Sequence, residues 1–248
     1  MPLYGLIGYP LGHSFSAAFF SEKFKEERID AVYRNFPLER IEGFKDLVAG
    51  ESDLLGLNVT VPYKQEIIPY LDLLSKTAEA IGAVNTISFR RSEDGLVLLG
   101  DNTDVIGFRR SLVQHLKPHH KKALVLGTGG SSRAVRQVLT DLGIGYIMVS
   151  RNADGEKITY EQLDRKMVKD NTLIINTTPL GMHPKLETFP PIPYEALSSA
   201  HLLFDLVYNP GKTEFLRRGE QMGADITNGY DMLVFQAEAS WEIWNRVS

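Results

Sequence analysis

The sequence predicts an α/β protein made of two α/β domains, each built around a mostly parallel β-sheet. Short apolar segments rich in β-branched residues alternate with helical patterns along the chain, which is typical of parallel sheets covered by helices. Ten such segments are candidate strands, and this number exceeds the usual size of one sheet. The length of 248 residues accommodates two domains of ordinary size.

Five candidate strands lie in the first part of the chain, at residues 3–8, 31–36, 55–59, 83–90 and 96–100. A helical pattern over residues 14–28 separates the first two strands. We expect residues 1–103 to form the first domain.

The second part repeats the alternation, with candidate strands at residues 123–127, 146–150, 172–176, 201–205 and 224–227. Helical patterns occupy residues 105–116 and 132–142, and Val135, Val138 and Leu139 recur in the latter at helical spacing. We expect residues 104–228 to form the second domain.

Two further segments bear on the domain organisation. The polar segment 117–122 separates the two series of strands, and the adjacent His119 and His120 are predicted to lie at the surface. The chain ends in a helical pattern at residues 229–248, which we expect to pack back onto the first domain with its tryptophans in the core.

Composition excludes several classes of protein. Cysteine is absent, which excludes disulfide scaffolds, thiolate metal sites and a catalytic thiol, and fits a reducing compartment such as the cytoplasm. The net charge of −4 disfavours nucleic-acid binding, and no apolar run approaches the ~20 residues of a membrane span. The six histidines lack metal-ligand spacing, so we predict no metal.

The clearest local motif is a glycine-rich turn between a strand and a helix, at residues 123–134. Gly127 permits the tight turn, and Gly129 lets a phosphate approach the backbone at the start of the helix. Ser132 stands where the strict dinucleotide pattern has its third glycine. The pattern favours nucleotide binding over a plain strand–helix connection.

The end of the next strand indicates which nucleotide binds. Ser150 and Arg151 occupy the place where an acidic residue would bind the ribose hydroxyl of NAD. An arginine there suits the 2′-phosphate of NADP, because a guanidinium pairs bidentately with phosphate. The alternative is an arginine that simply faces solvent.

A second segment matches a phosphate-binding motif only in part. Residues 209–213 (NPGKT) end like a P-loop, but Leu206 stands where that motif requires glycine. Nucleoside triphosphate chemistry is therefore not predicted.

Polar residues in the first domain gather near predicted strand ends. Ser14 and Ser16 lie at a helix start, where hydroxyls can hold a carboxylate or merely cap the helix. Asn58 and Thr60 share one strand face, and Lys64 follows a proline turn. Taken alone, such a lysine is usually exposed to solvent.

The order of these motifs resembles the shikimate dehydrogenase family over essentially the whole chain. The matching segments are GYPLGHSFS (8–16), NVTVPYK (58–64), GAVNT (82–86), GDNTD (100–104), GTGGSSR (127–133), NTTPLG (176–181), DLVYNPGKTEFL (205–216), and Gly229, Met232, Leu233 and Gln236. The resemblance implies reversible NADPH-dependent reduction of 3-dehydroshikimate to shikimate in aromatic amino-acid biosynthesis. It also implies a substrate-binding and catalytic first domain and a Rossmann-like NADP-binding second domain.

The resemblance also implies roles for individual residues. The catalytic pair would be Lys64 and Asp104, and the substrate would be held by Ser14, Ser16, Asn58, Thr60, Asn85, Tyr208 and Gln236. The cofactor would be held by Gly127, Gly129, Gly130, Ser131, Arg133, Ser150, Arg151, Thr177, Gly229 and Met232. A small-molecule substrate is the expected partner, without nucleic acid or membrane, and the chain is expected to act as a monomer or homodimer.

Two departures from the family pattern stand out. Ala17 occupies a place where the family usually has proline, and Asp154 and Glu156 follow Arg151 where another basic residue is common. The alternatives are a quinate or dual quinate/shikimate dehydrogenase and, more remotely, a non-catalytic NADP-sensing protein.

Overall fold

A computed structural model describes residues 1–12, 15–93, 95–152, 155 and 157–246. The chain divides into two compact units. The first unit comprises Met1–Ile106 and Gln236–Ser248, and the second unit comprises Gly107–Phe235. In the described part of the chain, no helix is long and apolar enough to cross a bilayer.

The described residues of the first unit form a six-stranded sheet in the order β2-β1-β3-β5-β6-β4. The strands are β1 (Leu3–Gly8), β2 (Val32–Pro37), β3 (Leu54–Val59), β4 (Leu73–Leu74), β5 (Thr86–Ser92) and β6 (Gly95–Asp101). The β1–β2, β1–β3 and β4–β6 pairs are parallel, whereas β5 runs antiparallel to both β3 and β6.

Helices cover both faces of this sheet. They are α1 (Phe15–Glu26), α2 (Gly43–Gly50), α3 (Lys76–Ile81), the start of α4 (Asp104–Val113) and the end of α8 (Tyr230–Trp244). Alternate residues of β1 serve different cores: Ile7 packs with the cluster around Leu57, and Tyr4 packs with Phe20.

The tryptophans of α8 are partly buried and pack against the sheet of the first unit. The ring centroids of Trp241 and Trp244 lie 5.3 and 4.9 Å from that of Tyr4. The indole of Trp244 donates a hydrogen bond to the Ile87 carbonyl at 3.0 Å. A Cβ atom at Gly56 would lie 2.4 Å from that indole nitrogen, so only glycine fits beneath the ring.

The described residues of the second unit form a six-stranded, wholly parallel sheet in the order β12-β11-β10-β7-β8-β9. The strands are β7 (Lys122–Leu126), β8 (Gly145–Ser150), β9 (Ile158–Thr159), β10 (Leu173–Asn176), β11 (Leu202–Asp205) and β12 (Asp225–Thr227). The connecting helices include α5 (Gly130–Asp141), α6 (Arg165–Asp170) and α7 (Glu214–Gln221). The four residues of β10 are fully buried, as expected for a central parallel strand.

The strand order reverses beside β7. The chain runs outward through β8 and β9 on one side, then returns to pair β10 with the other side of β7. Ligands bind at such a point, outside the carboxyl ends of the strands. The order is that of a Rossmann fold, and the predicted α/β class is confirmed.

Each of the ten predicted strands is present, with small shifts in its ends. The two-residue strands β4 and β9 were not predicted. β5 begins at Thr86 and not at residue 83, because the chain first leaves α3 through Gly82 in the left-handed conformation, with φ 65°. The predicted functional division at residues 103 and 228 stays a prediction, since the limits of the units fall inside the continuous helices α4 and α8.

The interpretation of His120 as a surface residue is wrong. Its side chain is only 2% exposed, and its Nδ1 accepts a hydrogen bond from the Lys117 amide at 2.9 Å. Burial is the main cause that lowers the pKa of His120. The imidazole therefore closes the turn that leads into β7.

Candidate active site

Polar side chains of the first unit gather where β3 and β6 end and β5 begins. The strand register places Asn58 of β3 opposite Thr86 of β5, and Thr86 opposite Asp101 of β6. Because β5 is antiparallel to both neighbours, its first residues lie at the same edge as the carboxyl ends of β3 and β6. The motifs around these strand ends are thereby brought together.

An ion pair joins two of these motifs. The Lys64 Nζ atom donates to the Asp104 Oδ2 atom at 2.6 Å, and the side chains are 14% and 8% exposed. The Lys64 carbonyl also accepts a hydrogen bond from the Val84 amide at 2.7 Å, which fixes the backbone beneath the ammonium. An ammonium has three donors, so Lys64 retains hydrogen-bonding capacity for a ligand oxygen.

Asn85 orients the carboxylate of this pair. Its Nδ2 atom donates to the Asp104 Oδ1 atom at 2.9 Å, and its Oδ1 atom accepts from the Thr103 amide at 2.7 Å. The Gln236 Oε1 atom accepts from Asn85 Nδ2 at 3.3 Å and leaves the Gln236 amide nitrogen as a donor at the site. The asparagine is only 3% exposed, so its contacts hold Asp104 in one orientation.

A second layer of buried hydroxyl groups lies behind Asn85 and was missed by the sequence analysis. The Ser240 hydroxyl of α8 contacts Asn58 Nδ2 at 3.0 Å, the Thr86 hydroxyl at 2.9 Å and the Thr103 hydroxyl at 3.1 Å. Ser240, Thr86 and Thr103 are fully buried. A serine in the middle of an otherwise apolar helix face was the available signal.

Tyr33 connects this network to α1. Its hydroxyl donates to the Asn58 Oδ1 atom at 2.8 Å. Burial raises the pKa of Tyr33, and a hydrogen bond with the Ser16 hydroxyl acts in the opposite direction. Ser16 therefore belongs to the same cluster as Asn58. Ser14 lies outside the described residues.

Thr60 lies immediately after β3 and is half-buried. Its amide donates to the Ile7 carbonyl at 2.9 Å, and its carbonyl accepts from the Tyr63 amide at 3.0 Å. Its hydroxyl has no side-chain partner among the described residues.

The glycine-rich turn of the second unit follows β7 at the reversal of strand order. Gly127 has φ +105°, and a Cβ atom there would lie 2.8 Å from the Thr177 hydroxyl. A Cβ atom at Gly129, by contrast, would meet no atom within 4 Å. The backbone at the start of α5 is therefore open to a ligand, and the helix begins with Gly130, Ser131 and Arg133 in its first turn.

Ser132 can replace the third glycine for a local reason. Its side chain is 2% exposed, and its hydroxyl turns back to donate to the Gly129 carbonyl at 2.6 Å. The small side chain is thereby accommodated inside the turn.

The end of β8 carries the residues predicted to select NADP. The Ser150 hydroxyl donates to the Asn152 carbonyl at 2.8 Å and accepts from the Asn152 amide at 3.1 Å, so it shapes the turn. Arg151 is exposed beside this turn. Asp154 and Glu156, which bear on the NADP preference, lie outside the described residues.

The remaining predicted residues lie around β10, β11 and the start of α8. The Thr177 hydroxyl donates to the Leu126 carbonyl at 2.8 Å, which ties the end of β10 to the glycine-rich turn. Tyr208 is half-buried in the loop after β11, and Met232 is 6% exposed in the first turns of α8. A Cβ atom at Gly229 would lie 2.2 Å from the Leu206 carbonyl oxygen, so this contact requires glycine.

Among the described residues, no group of three or more histidine and acidic side chains is arranged to hold a metal ion.

Known proteins match this chain over nearly its whole length. Residues 6–87 match the family model for the shikimate dehydrogenase substrate binding domain. The shikimate dehydrogenase (NADP(+)) of Methanosphaera stadtmanae is 36% identical, covering 97% of this chain and 90% of that protein. The enzyme of the same name from Halothermothrix orenii is 37% identical, covering 98% and 90%.

This chain is also similar to a solved structure of a shikimate dehydrogenase. The crystal structure of shikimate 5-dehydrogenase from Thermus thermophilus, in complex with NADP(H) and shikimate, matches with a TM-score of 0.86. It is 27% identical and covers 100% of this chain and 94% of its own.

Proposed function

This chain belongs to the shikimate dehydrogenase family, and we propose that it catalyses the reversible NADPH-dependent reduction of 3-dehydroshikimate to shikimate. The reaction is a step of aromatic amino-acid biosynthesis. The observation that supports this most strongly is the Lys64–Asp104 pair at 2.6 Å, set among amide and hydroxyl groups. Such a site fits a small polyhydroxylated ring.

Lys64 supplies the acid of the reaction. When bound, the cofactor supplies the hydride that reduces the ketone carbon. Negative charge then develops on the ketone oxygen, and the Lys64 ammonium stabilises that charge and delivers a proton to it. In the reverse direction the same side chain, as the neutral amine, accepts the hydroxyl proton.

Asp104 orients Lys64 and binds a ring hydroxyl. One carboxylate oxygen holds the ammonium at 2.6 Å, and the other accepts from Asn85 at 2.9 Å. Because both side chains are nearly buried, the ammonium keeps its direction without help from water. The carboxylate retains lone pairs for one substrate hydroxyl.

The rest of the site recognises the substrate. We assign the ring hydroxyls to Asn58, Asn85 and Gln236, whose side chains the network already directs, and to the Thr60 hydroxyl immediately after β3. We assign the carboxylate to Ser14, Ser16 and Tyr208. A tyrosine phenol is protonated near neutral pH and can donate to an anion, and burial raises the pKa of Tyr208 further in the same direction.

The second unit fits NADP. The open backbone at Gly129 and the amides of Gly130 and Ser131 suit a pyrophosphate at the start of α5, with Arg133 beside it. Arg151, with Ser150, lies at the end of β8 and suits the 2′-phosphate. We assign the nicotinamide to Thr177, because it follows β10 beside the reversal of strand order, and to Gly229 and Met232 at the start of α8.

The test is NADPH oxidation with 3-dehydroshikimate, run beside 3-dehydroquinate under the same conditions. We expect turnover with 3-dehydroshikimate and a much lower kcat/KM with 3-dehydroquinate. Comparable kcat/KM values would indicate a dual quinate/shikimate dehydrogenase. No turnover with either ketone, in a protein that binds NADP, would contradict the proposal.

A further inference from the structure

The loop between β11 and α7 contains the NPGKT segment (209–213), which does not match the P-loop motif. The proposed reaction gives this segment no role. We infer that Asp205 and Thr213 form a clasp that closes this loop and positions Tyr208 for the substrate carboxylate. The inference rests on the proposed function through the assignment of Tyr208. Asp205 and Thr213 are positioning residues in this scheme and touch no substrate.

In the clasp, the Asp205 carboxylate accepts hydrogen bonds from residues at both ends of the loop. Asp205 is the last residue of β11, and its Oδ2 atom accepts from the Thr213 hydroxyl at 2.5 Å. Its Oδ1 atom accepts from the Val207 amide at 3.0 Å, immediately before Tyr208. Asp205 is fully buried and Thr213 is 1% exposed, so water does not compete for these bonds.

Thr213 also fixes the element that follows the loop. Its hydroxyl accepts from the Leu216 amide at 3.4 Å and thereby caps α7. The backbone on both sides of Tyr208 is consequently tied to one carboxylate. On the far side of the loop, Asn228 Nδ2 donates to the Gly211 carbonyl at 2.8 Å, just before α8 begins.

The same carboxylate reaches the neighbouring loop. Asn176 Nδ2 donates to the Asp205 Oδ1 atom at 2.9 Å, and Asn176 Oδ1 accepts from the Thr178 amide at 3.0 Å and the Thr178 hydroxyl at 2.6 Å. The loops that follow β10 and β11 are therefore held in one relative position. The first loop carries Thr177, which is assigned to the cofactor, and the second carries Tyr208, which is assigned to the substrate.

The buried carboxylate is not explained by stability alone. Burial raises the pKa of Asp205 to about 6, although three hydrogen bonds oppose the shift. Ionising a carboxyl group at a buried position costs free energy. The presence of an aspartate here is therefore better explained by the three hydrogen-bond donors that its carboxylate holds in place.

Lys212 plays no part in the clasp. Its Nζ atom pairs with the Glu220 carboxylate at 2.9 and 2.8 Å, and its side chain is half exposed. It provides a control within the same loop.

The experiment compares Thr213→Val, which removes the hydroxyl at nearly constant shape, with Thr213→Ser, which keeps it, and with Lys212→Ala. We expect Thr213→Val to raise the KM for shikimate by about fivefold or more, with kcat within about threefold of wild type. Thr213→Ser and Lys212→Ala should stay within about twofold. Amide hydrogen exchange of residues 206–211 should accelerate in Thr213→Val alone.

A double variant distinguishes an effect of the clasp on Tyr208 from a general increase in the flexibility of the loop. If the clasp acts through Tyr208, then Tyr208→Phe should raise KM about tenfold in the wild type but less than about twofold in the Thr213→Val background. Fully additive effects, or equal KM values for Thr213→Val and Thr213→Ser, would overturn the inference. If Thr213→Val does not fold, Asp205→Asn replaces it under the same criteria.

Failure of the proposed function gives a different result. In that case the wild type itself lacks activity with shikimate, whereas hydrogen exchange still reports on the clasp. Unchanged exchange at residues 206–211 in Thr213→Val would overturn the clasp whatever the substrate.

Discussion

Replacing Lys64 with alanine tests the proposed acid directly. The substitution removes an ammonium that lies 2.6 Å from Asp104 in a nearly buried site, where water is a poor substitute. We expect kcat to fall by about 10²–10⁴, the scale of a lost general acid, which corresponds to about 3–5 kcal/mol in the activation barrier. The dissociation constant of NADP⁺ should stay close to wild type, since the candidate cofactor residues follow strands of the other sheet.

The same substitution also has a structural effect that needs a control. It leaves the Asp104 carboxylate with Asn85 as its remaining side-chain partner among the described residues, at a cost of about 1–3 kcal/mol in the free energy of unfolding. Lys23 is the matched control, because its side chain is 11% exposed and pairs with Glu238 at 3.1 Å. Lys23→Ala should lose comparable stability while it keeps kcat.

The assay is steady-state NADPH oxidation with saturating 3-dehydroshikimate, combined with urea unfolding of each variant. A Lys64→Ala protein that retains more than about a tenth of wild-type kcat would refute the assignment of the acid. A Lys23→Ala protein that loses as much activity as Lys64→Ala would show that the effect is structural.

Three further predictions concern the surroundings of the site. Ser240→Ala should lower the free energy of unfolding by about 1–3 kcal/mol in urea, because Asn58 and Thr86 each lose a buried partner; an unchanged midpoint would contradict the role given to this hydroxyl. Arg151→Ala should lower kcat/KM for NADPH about tenfold or more and leave that for NADH nearly unchanged; equal losses with both cofactors would exclude Arg151 as the phosphate contact. Asp205 has its pKa raised from 3.8 to about 6 in the folded state, so the folded protein binds more protons than the unfolded chain between these values. Its contribution to stability is therefore greatest below about pH 4 and falls by about 3 kcal/mol as the pH rises through 6, and a comparison with Asp205→Asn across this range should show that difference.

The sequence predicted the sheets well because their strands are strongly patterned. The segments that became β7 and β10 are short apolar runs bounded by polar or glycine-rich turns, and this pattern permits few other structures. The strands β4 and β9 have two residues each, which is too short for any period to be visible. β4 pairs with β6, which the chain reaches only after α3 and β5, and β9 pairs through two residues with the preceding strand β8.

The residues of the candidate site could be recognised in the sequence only in part, for a similar reason. Lys64, Asn85 and Asp104 stand in motifs with unusual polar residues at strand ends, so the sequence marks them. Ser240 and Tyr33 lie far from those motifs along the chain and meet Asn58 only in the folded protein. A single hydroxyl on a helix or strand has no local signature, because its partners are supplied by tertiary structure.

Asp205 shows a different limit. It stands in one of the recognised motifs, at a strand end where an acidic residue is usually exposed to solvent. In the structure its carboxylate is buried. Only the burial of the side chain and its three donors reveal that it organises two loops. Burial of a charged residue depends on the layers packed around it, which the local sequence does not specify.

The most direct test of the proposed chemistry is a crystal structure of the wild-type protein with shikimate and NADP⁺ bound. We predict that the hydroxyl oxygen that is oxidised lies about 3 Å from Lys64 Nζ, with a neighbouring ring hydroxyl on Asp104. Shikimate bound with that hydroxyl away from Lys64, and with another side chain at hydrogen-bond distance from it, would contradict the mechanism.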